Sequence, residues 1–148
     1  MRTLFLLTVI VIGNCSESVF GTWKVKTNRS TFAGVGAPKS LTVRIEPHAK
    51  GEVFTLDRVE SDGRVTSSSS ILYFDSTPRG LQDFDCVGTQ SSRRLDSRTV
   101  EIRRNCAGSD GIWFVRHAAD ESKELMIDIT EKRRRGPNLD WHLVLEKK

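Results

Sequence analysis

Along most of this chain, apolar and polar residues alternate in twos. Leu41, Val43 and Ile45 fall on every second position, as do Leu125, Ile127 and Ile129, and again Trp141, Leu143 and Leu145. Successive side chains of a strand point to opposite faces, whereas a helix repeats its apolar positions every three to four residues, so this spacing predicts half-buried strands. The expected strands are 19–27, 40–47, 53–60, 65–74, 84–90 with an extension to 94, 99–106, 111–119, 124–130 and 140–146. Short polar connections of hairpin length separate them: Lys50-Gly51-Glu52, Ser61-Asp62-Gly63, Asp96-Ser97-Arg98, Gly108-Ser109-Asp110-Gly111 and Ala119-Asp120-Glu121-Ser122. Two gaps are longer. Residues 28–39 hold Ser30-Thr31-Phe32-Ala33, enough for one helical turn before Gly34, Gly36 and Pro38 end it, and residues 75–83 read as a flexible loop.

Short strands joined in sequence by tight turns make an antiparallel meander. A meander this long removes its two exposed edges most simply by curling into a barrel. The expected fold class is therefore all-β, a single antiparallel up-and-down β-barrel of about 8–10 strands. The interior of such a barrel either fills with side chains or encloses one small ligand. The run Ser67-Ser68-Ser69-Ser70 places two hydroxyls on each face of its strand. Either part of the inner wall is small and polar, or these serines sit on a weakly buried strand at the rim.

Ahead of the first strand, an apolar run from Leu4 to Ile12 follows the positive flank of Arg2. A membrane span takes about 20 apolar residues, so the run has instead the length of the core of a secretory signal. Three endings are open: cleavage after Ser18, with Ser16 and Ser18 as the small residues; a bacterial lipoprotein signal, with Cys15 carrying the lipid after Ile12-Gly13-Asn14; or an uncleaved anchor. The domain organisation is thus a signal peptide at 1–18, or a lipoprotein signal at 1–14, followed by one barrel domain at 19–148. About 130 residues supply one core but not two. The mature protein is expected outside the cytoplasm, periplasmic or secreted, or lipid-anchored to the membrane.

Cysteine usage agrees with export. With Cys15 in the signal region, Cys86 and Cys106 form an isolated pair, and a pair in an oxidising compartment points to a disulfide. If residues 95–98 form a hairpin turn, Cys86 and Cys106 face each other across it. The alternative is two buried thiols. Zinc is not expected, because two cysteines without further ligands at suitable spacing cannot fill a tetrahedral site.

The net charge is +4, and the cations are bunched. Arg93, Arg94, Arg98, Arg103 and Arg104 share the proposed hairpin, and Lys132, Arg133, Arg134 and Arg135 precede the last strand. Such clusters either meet an anionic envelope surface or an acidic protein, or form a solvated face that keeps strand edges from pairing. Nucleic acid is not an expected partner, since aromatic residues are not interleaved with these charges in a stacking pattern.

Phe20-Gly21-Thr22-Trp23-Lys24, followed by Ala37-Pro38-Lys39-Ser40 and an alternating strand, then Arg98-Thr99-Val100-Glu101 and a terminal Leu145-Glu146-Lys147, resembles small exported bacterial proteins of lipocalin-like type. The likeness spans most of the mature chain and implies a fold and a compartment rather than an activity. The Gly21-Thr22-Trp23 element is also similar to the opening of true lipocalins, where the Trp closes the base of the barrel.

Catalysis is not expected. His48, His117 and His142 belong to no nucleophile or metal motif, the serine run lacks the Gly-x-Ser-x-Gly turn of hydrolases, and no cofactor motif is present. Two functions from different classes remain. In one, the barrel binds a small apolar or amphipathic molecule among Trp23, Phe54, Leu56, Phe114 and Trp141, with Ser67 and Ser69 setting its orientation. In the other, the barrel is filled and acts as an envelope interaction or inhibitor protein through a basic surface of Arg103, Arg104, Arg133, Arg134 and Arg135.

Overall fold

The computed structural model describes residues 18–34, 36–119 and 123–148. The signal segment, its cleavage site and the lipid attachment expected at Cys15 lie outside the described residues but for Ser18, as does most of the turn expected at 119–122.

Ten antiparallel strands form one sheet: β1 (Gly21–Val25), β2 (Ser40–His48), β3 (Gly51–Val59), β4 (Val65–Leu72), β5 (Arg79–Gln82), β6 (Val87–Arg94), β7 (Thr99–Cys106), β8 (Ile112–Ala118), β9 (Glu124–Glu131) and β10 (Leu139–Lys147). Their order, β4-β3-β2-β1-β10-β9-β8-β7-β6-β5, is a meander whose first and last strands pair with each other, Trp23 opposite Lys147 and Val25 opposite Leu145. The sheet curls into a nearly closed barrel, as the alternation predicts.

Two elements depart from expectation. Residues 75–83 are not a free loop, because Arg79–Gln82 pairs with β6 as an added strand. Four residues are too few to carry a visible period, and the edge of β6 supplies what local propensity does not. The helical turn is a 3₁₀ turn at Thr27–Arg29 rather than at 30–33. Ser30 ends it: its hydroxyl donates to the Lys26 carbonyl at 2.8 Å and accepts from the Val144 amide at 2.9 Å, tying the segment to β10.

Residues directly opposite in the ladders share a face. The register therefore sends Trp23, Val43, Ile45, Phe54, Leu72, Ile102, Leu125, Ile127, Leu143 and Leu145 inward, all of them buried. The Trp23 ring is 0 % exposed, and its Nε1 donates to the Val19 carbonyl at 2.9 Å. All but Leu143, which borders the other half, pack the half of the barrel that holds the β2–β3, β6–β7 and β8–β9 turns.

Within this apolar half lies a buried ion pair. Glu52 is 1 % and Arg116 2 % exposed, and the Arg116 Nη2 donates to Glu52 Oε2 at 2.8 Å. Arg94 reaches the other Glu52 oxygen at 3.4 Å. Burial lowers the Arg116 pKa from its ordinary value, and the Glu52 charge works against that shift.

The edges β4 and β5 are not laddered to one another; polar side chains close the seam. Ser70 exchanges hydrogen bonds with Gln90 at 3.0 and 3.2 Å, the Phe74 amide donates to the Ser92 hydroxyl at 3.0 Å, and Ser68 donates to Asp83. Cys86 and Cys106 form a disulfide, with Cα atoms 5.0 Å apart. The hairpin register differs from the expected one: Cys106 faces Gly88, and Cys86 lies just before β6. A Cβ at Gly88 would stand 1.8 Å from the Asn105 carbonyl oxygen, so only glycine lets the strands pass this closely beside the bridge.

Candidate functional site

The other end of the barrel is open. Toward the β3–β4, β7–β8 and β9–β10 connections, the inward positions surround a cavity of about 550 Å³. Its walls differ in chemistry. One is apolar: Leu41 from β2, Leu56 from β3, Ile112 and Phe114 from β8, Ile129 from β9, and Trp141 and Leu143 from β10. Phe32 and Pro38, on the segment between β1 and β2, add to it, and that segment is held over the mouth by pairing of Thr31 with His142. The other wall is charged, with Arg58, Glu60, Arg64, Asp85, Arg104 and Glu131.

The charged wall is held by mutual contacts. Arg104 lies inside the barrel and is 5 % exposed; its Nε donates to Gln90 Oε1 at 2.9 Å, Asp83 stands 3.7 Å from Nη1, and its guanidinium lies 5.0 Å from the Phe114 ring centroid. Burial lowers the Arg104 pKa from the usual arginine value, and the charges of Asp83 and Asp85 oppose that shift. Arg58 donates to both oxygens of Asp85 at 2.9 Å. Asp83 accepts the amides of Asp85 at 2.9 Å and Cys86 at 2.8 Å. The loop before β6 is thereby fixed by a carboxylate cap at one end and the disulfide at the other.

Of the residues expected to bind a ligand, the structure brings Leu56, Phe114 and Trp141 to this cavity. Trp23 and Phe54 instead belong to the packed half, where they are buried among core side chains. Ser67 and Ser69 face outward: Ser67 donates to Asp57 at 2.6 Å, and Ser69 shares a hydrogen bond with Thr55 at 2.9 Å. The inward hydroxyls are those of Ser68 and Ser70, set by their pairing with Leu56 and Phe54. Four consecutive serines read alike in either phase, so alternation alone does not choose between them.

The expected basic surface is divided. Arg104 points inward, as above. Arg103 is on the outer face, where it pairs with Glu101 at 2.8 Å, as Arg93 does at 2.9 Å. Arg133, Arg134 and Arg135 are exposed on the connection between β9 and β10, Arg134 standing 3.3 Å from Asp110. The contributions of Glu52, Arg58, Gln90, Asp83 and Arg116 to the interior are not visible in an apolar-polar pattern, because charged residues at inward positions read there as outward ones. Among the described residues, no group of three or more His, Cys, Asp or Glu side chains is placed to hold a metal ion.

No family model matches the chain, and no curated protein sequence matches it. Among solved structures, it is similar to zebrafish ileal bile acid-binding protein complexed with cholic acid. The two share 11 % identity with a TM-score of 0.51, over 87 % of this chain and 98 % of that one. At that identity the likeness is one of fold.

Proposed function

We propose that this chain is an exported, non-catalytic binding protein that takes the apolar part of a small amphipathic molecule into the open end of its barrel. The observation that carries this reading is the two-faced cavity of about 550 Å³, with Leu56, Phe114 and Trp141 on its apolar wall and Arg58, Arg104 and Asp85 opposite. Binding pockets for small molecules are of this size, mostly apolar, with a few fixed polar groups that orient the guest. The fold neighbour's complex with cholic acid supports a guest of mixed polarity. The disulfide and the apolar run near the N-terminus support a home outside the reducing cytoplasm.

The test uses 1-anilinonaphthalene-8-sulfonate, an amphipathic dye that brightens in apolar surroundings. The protein is expected to bind one dye per chain, and cholate to displace it. Leu56→Trp fills the cavity from its apolar wall and should weaken dye binding at least about tenfold, in line with the cost of overpacking a site. Val65→Trp, on an exposed position, should not. If the two variants bind dye equally, the guest does not occupy this cavity.

A further inference from the structure

Most arginines of this barrel stand beside a carboxylate, from Arg29 with Glu124 on the outer face to Arg116 with Glu52 inside. The connection between β9 and β10 is different. Among the described residues, Lys132, Arg133 and Arg135 have no acidic side chain within ion-pair distance, and residues 132–138 are exposed throughout. The base of this connection is nonetheless fixed: the Lys132 amide donates to the Gly111 carbonyl at 2.8 Å, and the Asp110 amide donates to the Lys132 carbonyl at 3.0 Å. Beside it, on the outer face of β8, the Trp113 ring is 37 % exposed. Arg103 and Lys132 each lie 4.7 Å from its centroid.

We propose that this patch docks the barrel, open end first, on an anionic lipid bilayer. Cations that no carboxylate neutralises are drawn to anionic headgroups, and an indole flanked by cations has the apolar body and polar edge suited to the headgroup level. The patch adjoins the cavity directly, since Glu131, the residue before Lys132, lines the mouth. Phe84 and Val65 are exposed at the same end and offer further apolar contact. Docking does not depend on what the cavity holds; that it points the mouth toward a lipid phase rests on the function proposed above.

The experiment is co-sedimentation of the full chain with vesicles of phosphatidylcholine alone or with about one-third phosphatidylglycerol, at low and high salt. The protein should partition onto the anionic vesicles and leave them as salt rises. Arg133→Gln with Arg135→Gln should weaken partition by about thirtyfold, since a basic residue near an anionic surface contributes about 1 kcal/mol. Both side chains are exposed and unpaired, so the fold should be untouched. Brominated lipids should quench fluorescence in the parent protein, and Trp113→Phe should remove most of that quenching, since Trp23 is buried and Trp141 lies within the cavity.

Equal partition onto neutral and anionic vesicles would overturn the proposal, and is what the apolar run from Leu4 to Ile12 would produce by itself. So would partition that survives the double substitution, or quenching that is undiminished in Trp113→Phe. Retention on heparin lost in the double variant, with no vesicle binding by the parent, would assign the patch to a soluble polyanion instead. The dye titration reads the cavity separately, so either proposal can fail without the other.

Discussion

The same strands build both ends of the barrel, yet the two ends are held together by different forces. In the closed half, Trp23, Ile45, Phe54, Ile102, Ile127 and Leu145 meet in a packed core around the buried Glu52–Arg116 pair. In the open half the inward positions are shared between an apolar wall and a charged one, and side-chain hydrogen bonds, ion pairs and the Cys86–Cys106 bridge hold the rim. Burial of apolar area stabilises the first at roughly 25 cal/mol per Å². The second keeps its shape through covalent and polar links that leave room for a guest.

The largest expected effect falls on the closed half. Glu52→Gln leaves the Arg116 charge buried with no counterion, and breaking a buried pair from one side costs about 3–5 kcal/mol. Chemical denaturation should show that loss. Replacing both partners, as Glu52→Leu with Arg116→Met, should recover most of it, because apolar groups of similar volume suit this core. Equal instability in the single and double variants would mean that the pair organises the half rather than burdens it.

Next comes the open half. Cys86→Ser with Cys106→Ser opens a loop of about 21 residues and should cost about 3 kcal/mol in the chain-entropy account. Hydrogen exchange should then rise at the Asp85 and Cys86 amides, which are bonded to Asp83, while the amides of Val43 and Ile127 stay protected. Uniform loosening of both halves would mean that the bridge holds the whole barrel and not its open end alone.

The smallest effect is that of acid, and it touches both ends alike. Hydrogen bonds from Arg79 and the Thr77 amide hold Asp75 well below the usual carboxylate range, and backbone amides lower Asp96 and Asp62. At Glu101 burial acts upward, but the Arg103 and Arg93 side chains outweigh it and the net shift is downward. Groups whose folded pKa is depressed contribute stability above their unfolded value, near 4, and lose it as pH falls through the folded value. The thermal midpoint should therefore be level from about pH 7 to 5 and decline below about pH 4. A decline already under way near pH 6 would mean that these carboxylates do not set the acid limit.

Most of the barrel is legible in the sequence, because nearly every strand hides one face and the period of two marks it. The exceptions share a cause. β5 exists through its pairing with β6 rather than through any pattern of its own. The serine run has no phase, so Ser67 and Ser69 look as suited to the interior as Ser68 and Ser70, which are there. Arg104 and Arg116 are inward cations on strands whose other inward residues are apolar, and charge at such positions reads as surface until the partner across the barrel is seen. Leu56, Phe114 and Trp141 were identifiable as inward apolar residues. That they line space while Trp23 and Phe54 are packed solid depends on which end each strand reaches.

The ladder between β1 and β10 carries a consequence for the order of assembly. Every other pairing in the sheet joins neighbours in sequence, and each such hairpin can form as soon as its own turn closes. Trp23 must wait for Lys147. Pairing across nearly the whole chain is slow, because the entropy of bringing its ends together is lost before any contact rewards it. A chain made from its N-terminus forward therefore keeps its first strand, and the indole that the finished barrel hides completely, without its β10 neighbour until residues 139–147 have arrived. Removal of that final strand should leave a sheet with β1 as a bare edge, prone to pair with another copy rather than with itself.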